Sequence, residues 1–205
     1  MDEITNNKVE MIGEIISDFR YSHHVYGEDF YSFTLKVNRL SSSTDNIIVT
    51  LSSRLLANNC FKTGDVVKIS GQFRSYNNYA PTGNRLILTV FARKVERLDM
   101  QACNTTKNSV FLNAFICKQP VYRTTPFGRE IADTLVAVNR TYNKSDYIPC
   151  IAWGRNARFI SGLAIGTNIF IWGRAQSREY EKKIDENETV TKTAYEVSIN
   201  KLEVK

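Results

Sequence analysis

At 205 residues, with 42% hydrophobic and 23% charged side chains, the chain has the composition of a folded protein of one large or two small domains, which excludes general disorder. The opening MDEITNNKVE is polar and acidic, unlike a secretory leader, and no apolar run is long enough for a membrane-spanning helix, so a cytoplasmic protein with no membrane partner is expected. The formal net charge of +6 suits a polyanionic partner and is unevenly placed: residues 1–106 hold 12 Lys and Arg against 11 Asp and Glu, and residues 107–205 hold 15 against 10.

In chain order, Val9, Met11, Gly13 and Ile15 alternate as a first strand, and Gly27 marks a turn region. Phe30–Arg39 and Ile47–Leu51 read as second and third strands, Arg54–Phe61 as a short helix, Gly64–Gly71 as a fourth strand and Leu86–Leu98 as the last. The same order then returns. Val110, Leu112, Ala114 and Ile116 alternate, and Thr125, Pro126 and Gly128 mark a turn. Strands over Ile131–Arg140 and Tyr147–Trp153, a helix over Asn156–Leu163, and strands over Gly166–Gly173 and Thr193–Val204 complete the second set.

The two sets match residue by residue. Asn7, Val9, Gly27, Val37, Asn38, Arg39, Asp45, Ile47 and Arg54 recur 101 positions later as Asn108, Val110, Gly128, Val138, Asn139, Arg140, Asp146, Ile148 and Arg155. The offset is 102 past the helix, as in Gly71 and Gly173, and 107 after the longest loop, as in Val90 and Val197. The expected organisation is all-β: one copy over residues 1–98, a linker over 99–107 and a second copy over 108–205, each of five strands with a helix between the third and fourth, the pattern of an OB-fold barrel.

Between Val138 and Tyr180 the second copy interleaves aromatic and basic side chains, the chemistry of a surface for single-stranded nucleic acid, where bases need flat faces and phosphates need cations. The candidate faces are Tyr142, Tyr147, Trp153 and Tyr180; the candidate cations are Arg123, Arg140, Lys144, Arg155, Arg158, Arg174, Arg178 and Lys182. Tyr147, Pro149, Ile151 and Trp153 share one strand face, while Ile148, Cys150 and Ala152 share the other, which is small, apolar and the better core candidate. The competing assignment makes Trp153 and the tyrosines barrel core.

With RTTPFG before its second strand, AVNRTY ending it, IAWGRNA, GRAQSREY and a last strand starting KTAYE, the second copy resembles the bacterial single-stranded-DNA-binding proteins over nearly its whole length. The resemblance implies that Tyr142, Tyr147, Trp153 and Tyr180 stack on bases, that the partner is single-stranded DNA met in replication, repair or recombination, and that two-barrel chains form homodimers with four barrels. The first strand, with its alternating apolar positions and exposed edge, is one surface that could pair across a two-fold axis. The first copy departs from the family pattern: Ser41, Asn46, Ser52 and Asn78 replace the four aromatics, although Tyr76 and Tyr79 lie near the last. Arg39, Arg54 and Arg74 remain there to guide a backbone, so the two copies, as isolated fragments, are expected to differ in affinity. The family's acidic, apolar-tipped tail is not found after KLEVK, so recruitment of other proteins through such a tail is not expected.

Other chemistry finds little support. Cys60, Cys103, Cys117 and Cys150 lack a CxxC pair and only His23 and His24 could join them, so neither zinc nor any other cofactor is expected, and free thiols are. Glu179, Glu181, Asp185, Glu186 and Glu188, interleaved with Arg178, Lys182 and Lys183, read as a solvated loop, and no phosphate-cradling glycine motif occurs. An enzyme such as a nuclease is not expected. The alternatives kept open are an assembly or primosome-type accessory module with weak nucleic-acid binding, and an RNA-binding OB protein.

Overall fold

In the computed structural model, residues 6–57, 59–80, 83–99, 106–183 and 189–205 are described, with all their side chains except those of 78–80, 83–85 and 182–183. The first copy comprises β1 (Asn7–Ile15), β2 (Arg20–Val25), β3 (Glu28–Asn38), β4 (Thr44–Ser52), α1 (Ser53–Ala57), β5 (Val66–Ala80) and β6 (Gly83–Leu98). The second comprises β7 (Asn108–Ile116), β8 (Val121–Thr124), β9 (Glu130–Asn139), β10 (Ser145–Trp153), α2 (Arg155–Ser161), β11 (Asn168–Lys183) and β12 (Thr189–Val204).

Each copy is a closed barrel. In the first, β1 pairs β5 along most of its length and then β3 at its end, Ile15 opposite Leu35, while β4 runs parallel to β6 with Val49 opposite Val90. The second repeats this with Phe115 opposite Ala137 and Cys150 opposite Val197. The inward alternation gives two apolar cores: Val9, Met11, Leu35, Val49 and Ile69 in one, and Leu112, Ala114, Ile148, Ile169 and Ile171 in the other, all fully buried. Gly71 and Gly173 face matching bulges of β6 and β12, where a Cβ would run into the carbonyl of Phe91 or Ser198.

Six strands form in each barrel rather than the expected five. The additional β2 and β8 fall where sequence periodicity predicts turns and polar loops, because all their residues are exposed and no apolar alternation marks them. The turn signals locate the bends after these strands, at Gly27 (φ 76°) and Gly128 (φ 73°), where the left-handed backbone favours glycine. The helices are shorter than expected, and β11 and β12 run well past Gly173 and before Thr193 as a solvent-exposed hairpin. Glu179 and Glu181 therefore lie on a strand, opposite Thr193 and Thr191, rather than in a loop. Asp185, Glu186 and Glu188 lie outside the described residues.

The barrels join through their first strands. β1 and β7 pair antiparallel with Val9 opposite Val110, so the residues that correspond between copies meet at a local two-fold axis. Ile12 N–H donates to the Lys107 carbonyl and Asn113 N–H to the Asn6 carbonyl, both at 2.8 Å, extending the ladder. The result is one 12-stranded sheet, in the order β2-β3-β4-β6-β5-β1-β7-β11-β12-β10-β9-β8. The first-strand edge, read from the sequence as one surface that could pair across a two-fold axis, is thus occupied within the chain.

Two buried aspartates fasten the junction reciprocally. Asp45 of β4 accepts from the Ser177 amide of the other barrel at 2.8 Å and holds Arg39 through both carboxylate oxygens at 2.7 and 2.6 Å, with Arg174 at 3.5 Å. Asp146 of β10 accepts from the Ser75 amide at 2.9 Å, from Arg74 at 3.0 Å and from Arg140 at 3.4 Å. The serine hydroxyls accept in return from the amides of Asn46 and Tyr147. A fully buried carboxylate survives only with such compensation. Asp45→Ala should cost about 2 to 4 kcal/mol in urea unfolding, somewhat under the range for a wholly buried pair because water reaches the guanidiniums, and Asp146→Ala should cost about as much.

Candidate nucleic-acid interface

The four candidate aromatics stand at the surface rather than in the core. Trp153 closes β10 opposite Ile131 and is 38% exposed, whereas Ile148, Cys150 and Ala152 on the alternate face are buried. Tyr147 lies near the start of the same strand, its amide held by the Ser75 hydroxyl at 2.7 Å. Tyr180 sits on β11 with the Arg178 guanidinium 6.0 Å from its ring centre. Tyr142 lies in a 3-10 turn over Thr141–Asn143, where it and Asn143 both adopt left-handed backbone (φ 61° and 53°) and Tyr142 is 92% exposed. Holding a tyrosine in that conformation costs about 1 to 3 kcal/mol, a strain most often found at functional positions.

A groove of about 760 Å³ gathers Trp153 with Arg123, Arg174 and Arg178, and adds Arg39, Arg129, Thr125, Asn156 and Asn200. Five arginines thus line one groove with a single tryptophan. Arg129 was not among the sequence candidates, and Arg39 was expected only to guide a backbone on the first copy. Arg39 belongs to the first copy and arrives only because the barrels pack across the two-fold axis. Arg129 flanks the β8–β9 turn next to Phe127, which is 92% exposed; these two with Thr125 and Trp153 line a smaller depression. The RTTPFGR run is the sequence signal that could have flagged both.

The cations differ in what already neutralises them. Arg39 has its charge reinforced by its hydrogen bonds to Asp45, which raise its pKa. Arg174 shares that carboxylate more distantly; burial first, and then the neighbouring Arg39 charge, lower its pKa. An added anion in the groove would offset the Arg39 repulsion at Arg174 by favouring its charged form. Arg140 is likewise turned to the buried Asp146, Arg123 to Asp133 at 2.8 Å, Arg158 to Glu130 at 3.0 Å, and Arg178 lies 3.6 Å from Glu196. Lys144, Arg155 and Arg129 are exposed and form no ion pair among the described residues. Lys182 falls on β11, and its side chain lies outside those described.

A second groove, of about 520 Å³, continues from Arg178 to Tyr180. Its walls are apolar and come from both copies: Ile48, Leu86 and Ile87 from the first, Pro149 and Tyr195 from the second. Tyr142, Tyr147, Lys144, Arg155 and Arg158 lie outside these two grooves. In the first copy, Arg39 and Arg74 are held on the buried aspartates and Arg54 by Glu28, so the expected guide for a backbone there is largely taken up internally.

Other clusters do not assemble. His23 stacks on Phe30 with ring centres 4.9 Å apart, and His24 is 2.7 Å from Asp29, both on β2 rather than in a loop. Among the described residues, no three His, Cys, Asp or Glu side chains are placed to hold a metal, and Cys60, Cys117 and Cys150 are free thiols. Trp172 is packed with Phe111 and Phe170, its ring centre 4.8 Å from the Lys201 ammonium, and lines neither groove.

Residues 107–204 match the Single-strand binding protein family. Single-stranded DNA-binding protein 1 of Staphylococcus aureus (strain COL) is 37% identical over 83 residues, covering 37% of this chain and 50% of that protein. Single-stranded DNA-binding protein A of Bacillus subtilis (strain 168) is 34% identical over 105 residues, covering 48% of this chain and 60% of that protein. The chain thus spans about half to three-fifths of the length of these relatives. A crystal structure of a deletion mutant of the single-stranded DNA binding protein from Thermus aquaticus superposes with a TM-score of 0.75 over 97% of this chain and 94% of that one, at 19% identity. The tandem OB fold is therefore shared along nearly the whole chain, and its second barrel is similar to the single-strand binding protein family.

Because Trp153 is partly exposed, Trp153→Ala should lower stability by about 1 to 2 kcal/mol in urea unfolding, against about 3 to 5 kcal/mol for a tryptophan in a barrel core.

Proposed function

We propose that the chain binds single-stranded DNA with little sequence preference, as a protein that covers unwound DNA in replication, repair or recombination. The observation that carries this reading is the groove that five arginines line with Trp153 and that continues past Arg178 to Tyr180. Cations placed between exposed ring faces match alternating phosphates and unstacked bases, and such pairing is tolerant of sequence because every base has a π-face. The match of the second barrel to a family whose relatives are named for single-stranded DNA supports the same polymer. Tyr142, Tyr147, Trp153 and Tyr180 are assigned to stacking, and Arg123, Arg140, Lys144, Arg155, Arg158, Arg174, Arg178 and Lys182, joined by Arg129, to phosphates.

The test is a titration of tryptophan fluorescence with oligo(dT) and oligo(U) at several salt concentrations. With roughly four to six phosphates neutralised, log K should fall with log salt at a slope of about −3 to −4, and a slope near zero would remove the electrostatic groove. Trp153→Ala should weaken oligo(dT) binding about tenfold and abolish most of the quenching, while Trp172→Phe should leave both nearly unchanged. Equal affinity for oligo(U) would replace DNA by nucleic acid in general. Labelled oligo(dT) incubated with magnesium should shift in mobility without cleavage, as expected of a binding protein rather than an enzyme.

We also infer that the chain forms a homodimer with four barrels and works in the cytoplasm, where its cysteines would stay reduced. Since the β1 edge is spent inside the chain, the dimer surface is placed on the outer sheet face carrying Phe111, Phe170 and Trp172. Light scattering should give twice the 23.4 kDa chain mass, and Phe111→Glu should reduce it to one.

A further inference from the structure

The equivalence of the copies exposes one replacement that the loss of aromatics does not account for. In the second barrel Trp153 faces Ile131 across the ladder, Arg155 follows on α2, and Arg129 precedes β9. The corresponding residues of the first barrel are Ser52 facing Phe30, Arg54 on α1 and Glu28 at the start of β3. Where the second copy directs a guanidinium into the depression beside its indole, the first directs a carboxylate. Glu28 accepts a hydrogen bond from the Ser52 hydroxyl and lies 3.3 Å from Arg54. The Ser52 hydroxyl in turn accepts from the Arg54 amide at 3.1 Å. Glu28 is largely covered, with its side chain 20% exposed, while the Arg54 side chain is 78% exposed and reachable from solvent.

We propose that Glu28 is a specificity-determining residue that holds Arg54 in place of a phosphate and so keeps the strand off the first barrel; this rests on the reading of the chain as a single-stranded-DNA binder. A carboxylate offers a guanidinium the same paired oxygens that a phosphate does. Its charge also repels a phosphate brought to the same place, so one side chain both fills the site and raises the electrostatic barrier to filling it otherwise. The rest of the first barrel's outer hairpin keeps the equipment of a binding surface. Tyr21 and Tyr26, equivalent to Tyr122 and Phe127 of the second barrel, are exposed on it, and Arg20 opens β2 beside them. The loss of affinity is thus assigned to an added charge as well as to missing rings.

The test uses the full chain with Glu28→Gln, which keeps the side chain's size and its ability to accept from Ser52 while removing the charge. Oligo(dT) of increasing length is titrated at several salt concentrations, with melting temperature as a control. One newly available phosphate contact should steepen the salt slope by about 0.7 and tighten binding roughly five- to tenfold at about 0.05 M salt. It should also lengthen the DNA covered per chain. Adding Arg54→Gln should remove the whole gain. If wild type binds oligo(dT) and Glu28→Gln changes neither slope nor covered length, Glu28 is structural only and the proposal fails while the DNA-binding reading stands. A gain that persists in the Glu28→Gln, Arg54→Gln protein would also overturn it, since charge removal alone would then explain the effect. A wild type that does not bind oligo(dT) overturns the binding reading and this proposal together.

Discussion

The antiparallel pairing of β1 with β7 is the constraint on which the rest of the molecule depends. It places Val9 against Val110 on a local two-fold axis and turns two barrels into one continuous sheet. Backbone pairing alone leaves the barrels free to twist about that seam; the buried Asp45 and Asp146, each accepting an amide from the opposite barrel, fix the angle. Each is neutralised by an arginine of its own barrel at corresponding positions, Arg39 and Arg140, and by a second from the opposite barrel whose position differs. In the first copy Arg74 follows Gln72, and in the second Arg174 precedes Gln176, so the same carboxylate chemistry is met from positions two residues apart on matching strands.

This geometry also decides what the grooves are made of. Arg39 lines the arginine groove of the second barrel, and Ile48, Leu86 and Ile87 wall the groove at Tyr180, only because the first barrel is held against it. A comparison of isolated barrels would therefore measure less than the chain contains: separation would bare two strand edges, leave both aspartates short of an amide donor and dismantle both grooves. The first copy contributes to the candidate site as a wall and a charge, whatever its own affinity.

Much of this was legible in the sequence. The repeat identified two barrels because corresponding residues recur through loops as well as strands, and the alternation of Ile148, Cys150 and Ala152 identified the core face of β10. The strands β2 and β8 escaped because periodicity records burial, and neither has a buried side. The distal part of the β11–β12 hairpin escaped for the same reason, and its charges resembled a loop. Of the candidate site, the ring positions were readable from motifs, whereas Arg39 required the packing of two copies, and the pairing of Arg140 and Arg174 with buried acids required knowing that Asp45 and Asp146 face inward across the seam. Glu28 carries no local sign of its role; it becomes visible only when Ser52 and Arg54 are superposed on Trp153 and Arg155.

The seam also orders events during synthesis. Val9 and Val110 are 101 residues apart, so β1 emerges long before the strand that completes its ladder. At about 5 to 20 residues per second the interval is roughly 5 to 20 s, during which the first barrel presents an unpaired edge of alternating apolar residues. The incoming β7 of the same chain competes for that edge with the β1 of any neighbouring nascent chain, and its advantage is the short tether of residues 99–107. A longer tether would lower that advantage and favour pairing between chains, independently of any role in the finished molecule.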